Sequence, residues 1–185
     1  MSALVLVAHR WEATGLPADA DLVITGVGMT AAAVAATRAI LERCPDPQSR
    51  NGLRVINLGS CGALVDGMQG IFEPSAVINR DVDEQVLGAA GLAVDNRIDL
   101  GGDGPVLGTG DSFVAGGSAR EALLGRCELV DMEGFAIAYA CRTLGVPLRM
   151  VKHVSDSADS DALAWKDLVE VSARALAEAY ADLAD

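Results

Sequence analysis

Short apolar runs alternating with segments of helical character restrict the folds open to this chain more than any other feature. The runs fall at residues 4–8, 22–27, 55–58, 76–78, 129–132 and 148–154. Read as strands, they belong to a mainly parallel sheet covered by helices, the α/β class. Between them, residues 29–43 are rich in alanine, with Ile40 and Leu41, and are stopped by Cys44-Pro45-Asp46-Pro47, because a residue before proline is pushed out of helical geometry. A second helix is expected over 133–144, ended by Gly145 and Pro147 in the usual order of helix stop signals. A third is expected over 161–183, with Leu163, Leu168, Leu176 and Leu183 among its apolar positions. A chain of 185 residues can bury one sizeable core, so residues 1–185 are expected to form a single domain with a central twisted sheet flanked by helices.

Composition narrows the partners. Hydrophobic residues make up 51% of the chain, yet charges interrupt them too often to leave a run long enough for a membrane helix. The formal charge of −12 argues against nucleic acid, whose binding depends on basic residues that neutralise phosphates. Lys and Arg are scattered, with no basic tail or membrane-binding patch. A small neutral or cationic ligand fits this balance better. Cys44, Cys61, Cys127 and Cys141 have no zinc spacing, and no signal peptide is recognised ahead of Met1-Ser2-Ala3, so free thiols, a cytoplasmic setting and no metal are expected. Gly26-Val27-Gly28-Met29-Thr30 meets a helix and reads either as a tight turn that lets the helix pack or as backbone approaching a sugar or an anion. It is not a dinucleotide fingerprint, and there is no phosphate-loop lysine, so no cofactor is expected.

Two stretches carry the chemistry. In Val130-Asp131-Met132-Glu133-Gly134-Phe135-Ala136-Ile137-Ala138 an apolar strand opens into a helix, which places Glu133 where the helix dipole favours an anion. In Met150-Val151-Lys152-His153-Val154-Ser155-Asp156 a buried strand finishes on an acid. Ligands of open α/β sheets bind outside the carboxyl ends of the strands, where both acids would lie.

These stretches resemble the nucleoside phosphorylase and nucleosidase superfamily, and within it most closely the 5'-methylthioadenosine/S-adenosylhomocysteine nucleosidases. Two more segments follow the family's order: Ile56-Asn57-Leu58-Gly59-Ser60-Cys61-Gly62 is similar to its N-x-G-S-A-G loop, and Thr109-Gly110-Asp111-Ser112-Phe113-Val114 to its S-G-D-A-F-I segment. Glu12, four residues beyond the first strand, stands where the nucleosidases carry the acid that activates water. The match runs from about Ala3 to about Ala179.

The resemblance implies an N-ribosyl hydrolase acting on an adenosine-type nucleoside, in the setting of methionine salvage, without a cofactor and as a homodimer. Asp156 would protonate the leaving purine, oriented by Ser155; to hold that proton its carboxyl must be raised by burial or a neighbouring negative charge. Glu12 would be the general base for water, although taken by itself it reads as a solvated acid. Glu133 would accept hydrogen bonds from the ribose hydroxyls and favour the oxocarbenium ion, with Met132 packed on the sugar. Phe113 and Val114 would hold the base, and Ser60 with the backbone at Cys61 and Gly62 would lie near water and base. Cys61 stands where the family has alanine and reads as a small apolar filler. His9 stands where the family has methionine and reads either as a sugar contact or as a surface histidine.

Lys152 replaces the family's usual arginine, which keeps the charge and loses the planar fork. His153 reads as core or interface. Asp111 reads as structural, holding the turn before Phe113 through its own backbone contacts. Residues 87–105 are polar and glycine-rich, and the family loop that covers the ribose 5' substituent is missing or rebuilt there. Two other functions remain open. A phosphorylase would need cations for phosphate, for which Arg10 and Arg54 are the candidates; a non-catalytic nucleoside-binding protein could use the same fold.

Overall fold

The computed structural model describes residues 2–159 and 165–184. Among these residues nine strands form one sheet: β1 (Ser2–Val7), β2 (Asp21–Ile24), β3 (Leu53–Ala63), β4 (Gly70–Phe72), β5 (Ala76–Asn79), β6 (Arg97–Asp99), β7 (Val106–Thr109), β8 (Leu129–Asp131) and β9 (Leu148–Asp156). The helices are α1 (Met29–Arg43), α2 (Glu84–Ala89), α3 (Gly117–Glu121), α4 (Gly134–Leu144) and α5 (Trp165–Ala184), with a 3-10 turn at Pro47–Gly52.

All six expected strands exist, and α1 has the expected bounds. The first four residues expected for the last helix lie outside the described residues. Expected residues 129–132 end one residue early, because Met132 has left the ladder, while β9 runs on through Asp156. Three strands have no counterpart among the expected runs: β4, β6 and β7. In each, glycine or polar residues interrupt the apolar run, Gly70 in β4, Arg97 and Asp99 in β6, and Gly108 and Thr109 in β7. Residues 87–105 hold the end of α2 and β6, which pairs antiparallel with β5.

Parallel pairing joins β2, β1, β3 and β9 in one group and β5, β7 and β8 in another. The two groups are stitched antiparallel where Gly62 and Ala63 of β3 meet Val130 and Leu129 of β8. At that junction the ladder between β3 and β9 is interrupted by a bulge between Cys61 and Gly62. A bulge re-aims side chains beside a site. Here it brings Gly62 into register with Asp156, and a Cβ at Gly62 would lie 3.0 Å from the Asp156 carboxylate. Glycine is the residue that admits this approach.

The sheet is covered on both faces. On one, α1 and α4 pack together over Leu4, Leu6, Leu53 and Val55. On the other, Leu176, Tyr180 and Leu183 of α5 pack on Val5, Val7, Ile56, Leu58 and Val151. The alternation of Leu4 and Leu6 with Val5 and Val7 shows why β1 is apolar throughout, since successive residues face opposite covered surfaces. Helix α1 owes its regularity to alanine, the best helix former, and its end to Pro45 after the cap at Cys44. Helix α4 ends at Gly145 in a left-handed cap, where the Val146 N–H donates to Cys141 O at 2.9 Å.

Candidate active site

A cavity of about 250 Å³ opens at the carboxyl ends of β1, β3, β7, β8 and β9. Its walls hold every residue given a catalytic or nucleoside-binding role in the sequence: His9, Glu12, Ser60, Cys61, Gly62, Phe113, Val114, Met132, Glu133, Ser155 and Asp156. Arg80, Ser112 and Asp131 line it too. The volume lies just under the range of about 300–1,000 Å³ typical of small-molecule sites.

Glu12 follows β1 in a turn whose Glu12 N–H donates to His9 O at 3.0 Å. It is 3% exposed, so the solvated-acid reading fails. Its Oε1 accepts from both the backbone N–H and the hydroxyl of Ser60, each at 2.7 Å, and its Oε2 accepts from the His9 N–H at 3.2 Å. A carboxylate oxygen has two lone pairs, so Oε2 keeps acceptor capacity after its contact with His9. The residue is oriented by Ser60, which β3 delivers. His9 packs its ring on Trp11 at 4.5 Å between centroids, and its Nδ1 accepts from the Trp11 N–H.

Glu133 is the N-cap of α4, one residue before the helical turn expected for it. Its Oε1 accepts from the Gly28 N–H at 2.8 Å. Burial, followed by the charge of Asp131, raises Glu133 from 4.5 to about 7, against the opposing pull of the Gly28 N–H and of Lys152. Two amides of the glycine turn before α1 are already occupied. They are taken by carboxylates of the chain itself: Gly28 by Glu133 and Met29 by Asp111 Oδ1 at 2.6 Å. That second contact corrects the expectation for Asp111, which bonds across to another loop, while its own N–H donates to Asp81 Oδ2 at 2.7 Å.

Asp156, half-buried at the last position of β9, accepts from Ser155 Oγ at 2.7 Å and from the Ala158 N–H at 2.8 Å. Ala158 adopts a positive φ of 49°, and this turn returns its N–H to the carboxylate. Ser155 Oγ also reaches Cys61 O at 3.3 Å. A hydroxyl has a single proton to donate. When Asp156 is ionised Ser155 donates to it; when Asp156 carries a proton, Ser155 can accept it and turn its own proton to Cys61 O.

Phe113 is 48% exposed at the cavity mouth, whereas Val114 is 6% exposed. The half-exposed ring is therefore an apolar surface offered to a ligand. Cys61 is buried and unpaired, with its thiol pushed up by burial, which makes it an inert filler. His153 stands half-buried with Nδ1 2.9 Å from Ser172 Oγ, held below its ordinary pKa by burial. It is part of the packing between β9 and α5. Of the two cations weighed for phosphate, Arg54 donates to Leu183 O and Arg10 is exposed; neither lines the cavity.

One partnership escaped the sequence reading. Lys152 is 1% exposed, and its Nζ lies 2.9 Å from Asp131 Oδ2. Asp131 also accepts from Thr109 Oγ1 at 2.6 Å and from the Gly134 N–H at 2.8 Å, and the Thr109 hydroxyl accepts from the Phe135 N–H. Lys152 thus meets its carboxylate at one point, as expected of an ammonium in place of a fork. The charge of Asp131, with those of Glu133 and Glu12, keeps Lys152 raised despite full burial. The signal in the sequence was the pair itself: an acid in one buried strand and a lysine in another, neither of which is stable in a core alone.

Comparison with known proteins identifies relatives in sequence and in fold. The Phosphorylase superfamily profile matches residues 102–184. A 5'-methylthioadenosine/S-adenosylhomocysteine nucleosidase of Shewanella putrefaciens is 30% identical over 175 residues, covering 80% of this chain and 73% of that protein. The crystal structure of the Helicobacter pylori protein of the same name, with butyl-thio-DADMe-Immucillin-A, superposes with a TM-score of 0.80 at 21% identity, covering 99% of this chain and 97% of that one. The futalosine hydrolase of Helicobacter pylori shares the fold as well, with a TM-score of 0.72 at 19% identity over 95% of this chain and 94% of that one.

Proposed function

This chain belongs to the 5'-methylthioadenosine/S-adenosylhomocysteine nucleosidase family, within the phosphorylase superfamily, and we propose that it hydrolyses the N-ribosidic bond of an adenosine-type nucleoside. The observation that carries this reading is the opening of Glu12, Glu133 and Asp156 onto one cavity from three different strands. Cleaving that bond requires a proton for the base, a nucleophile at the sugar carbon and negative charge beside the oxocarbenium ion. Asp156 supplies the first, with Ser155 turning its hydroxyl as the proton leaves. Glu12 supplies the second by taking a proton from water, through the acceptor capacity left on Oε2. Glu133 supplies the third and accepts the ribose hydroxyls on the oxygen that Gly28 does not occupy. Phe113 stacks on the purine, the Val114 backbone reads its edge, and Met132 packs on the sugar. Dividing acid and base work between carboxyl groups on either side of a glycosidic bond is the general solution for such hydrolysis.

Water is favoured over phosphate as the nucleophile by charge. Among the described lining residues, Glu12, Asp131, Glu133 and Asp156 face one cation, Arg80, whose two Nη atoms already donate to backbone and side-chain acceptors. The amides before α1, which could have held an anion, are filled by Glu133 and Asp111. A phosphate dianion would meet the repulsion of these carboxylates.

Recycling of a sulfur-containing nucleoside in methionine salvage is the setting that the names of the relatives support. A cytoplasmic setting is supported by four buried, unpaired cysteines, and no described helix is long and apolar enough to cross a membrane. A homodimer is supported by Val34 and Leu41 on α1 and Val27 before it, all exposed. Val27 also lines the cavity. The test of the reaction is release of free adenine from 5'-methylthioadenosine in phosphate-free buffer. Adenine release that begins only when phosphate is added would refute it.

A further inference from the structure

Arg80 is unusual for a charged residue, being 9% exposed with three guanidinium contacts on one short loop and a fourth to Asp81. It follows β5, where its own N–H donates to Thr109 O at 2.8 Å, which ties it to the end of β7. From there Nη2 donates to Gly110 O at 3.1 Å and to Ser112 O, while Nη1 donates to Ser112 Oγ at 3.0 Å and reaches Asp81 Oδ1 at 3.4 Å. The other oxygen of Asp81 takes the Asp111 N–H at 2.7 Å. Every residue from Gly110 to Ser112 is thus held by Arg80 or Asp81. Gly110 has no side chain to spare here: a Cβ would stand 2.7 Å from Arg80 Cζ and 2.4 Å from Asp81 Oδ1.

The loop that is clamped leads directly into Phe113 and Val114, the two residues assigned to the base. It also carries Asp111, whose carboxylate takes the Met29 N–H next to the amide held by Glu133. One cation therefore fixes the base-side wall and, through Asp111, buttresses the turn that holds the ribose carboxylate. We propose that Arg80 is a positioning residue for base recognition, setting the Gly110–Val114 wall so that Phe113 and Val114 meet the purine. This rests on the nucleosidase reading given above.

The fork is essential to the proposal, because planar donors span Gly110 O, Ser112 O and Ser112 Oγ together and an ammonium cannot. Arg80→Lys keeps the charge and most of the stem while losing that span. The loss of one or two charge-assisted bonds from the wall should weaken binding of adenine by roughly tenfold or more. The same factor should appear in KM for 5'-methylthioadenosine, with kcat changed by less than about threefold, the signature of lost binding common to ground and transition states. Amide hydrogen exchange of ligand-free Arg80→Lys should accelerate at 110–114 and stay unchanged across α1 and α5. The exchange measurement does not depend on substrate, so it still tests the clamp if the nucleosidase reading fails. Unaltered exchange at 110–114 with unaltered adenine affinity would overturn the proposal. So would equal loss of protection throughout the chain, which marks a general structural role. If Arg80→Lys does not fold, Asp81→Asn, which weakens the hold on the Asp111 N–H, must speed exchange in the same loop.

Discussion

The buried pair of Lys152 and Asp131 offers a sharp test of how the site is held together. Lys152→Met preserves the length of the stem and removes the charge. In the native protein the two side chains are 2% and 1% exposed and 2.9 Å apart. After the substitution Asp131 keeps its bonds to Thr109 Oγ1 and the Gly134 N–H but has no counter-charge. Removing one partner of a buried pair costs roughly 3–5 kcal/mol, because a charge is left stranded in low dielectric. For a chain of this size 1 kcal/mol moves Tm by about 2–4 °C, so the expected fall is roughly 6–20 °C. Adding Asp131→Asn removes the stranded charge and should recover most of that fall, giving a coupling energy of about 2 kcal/mol or more in a double-mutant cycle. Lys152 also opposes the rise of Glu133, so its removal should push Glu133 higher and move the acid limb of the activity profile upward. Thermal and urea unfolding of wild type, both single variants and the double variant measure the first effect; kcat/KM against pH measures the second. Lys152→Met within about 1 kcal/mol of wild type would refute the reasoning, since a buried carboxylate cannot lose its only close cation at so little cost.

The other predictions concern the three acids. Asp156→Asn keeps the Ala158 contact and removes the transferable proton, so kcat should fall by about 10² or more while nucleoside affinity largely survives, as read by single-turnover and equilibrium binding measurements. Glu12→Gln can keep both Ser60 contacts but sets an amide against the His9 N–H; loss of the base should cost a similar factor, and added phosphate should not restore turnover. Because burial raises Glu133 from 4.5 to about 7, kcat/KM should fall as pH drops through 7, and Glu133→Gln should abolish that limb. The folded state also holds this proton more tightly than the unfolded chain. The resulting stability is fully present below pH 4.5 and lost as pH rises through about 7, so the difference in stability between wild type and Glu133→Gln should change across that window.

What was legible in the sequence depended on length and on local chemistry. Helix α1 was bounded correctly because Gly28 and Pro45 flank an alanine-rich run, and these signals act within a turn of the chain. Strands β1, β3 and β9 were legible because each is apolar over several residues. Strands β4, β6 and β7 were not, since glycine and polar residues break their apolar runs and pairing with neighbours distant in sequence holds them in the sheet. The cavity walls were readable because the family motifs sit where strands end. What those motifs could not show is contact between them. Asp111 looked like a local turn residue, and its carboxylate in fact caps an amide 82 positions away in sequence. Arg80 lies in Asn79-Arg80-Asp81-Val82-Asp83, which resembles a family segment leading to the 5' side of the pocket and the subunit contact, but its hold on Gly110 and Ser112 became visible only in three dimensions. Lys152 was noticed for the missing fork, but its partner could be named only once β8 and β9 had been brought together.

The central claim is that water, activated by Glu12, attacks the sugar carbon. It is tested most directly by running the reaction with 5'-methylthioadenosine in ¹⁸O-labelled water with phosphate present, and weighing the sugar product. The account predicts 5-methylthioribose that has gained one labelled oxygen at the anomeric carbon, formed at a rate that phosphate does not change. A sugar 1-phosphate without the label would contradict it.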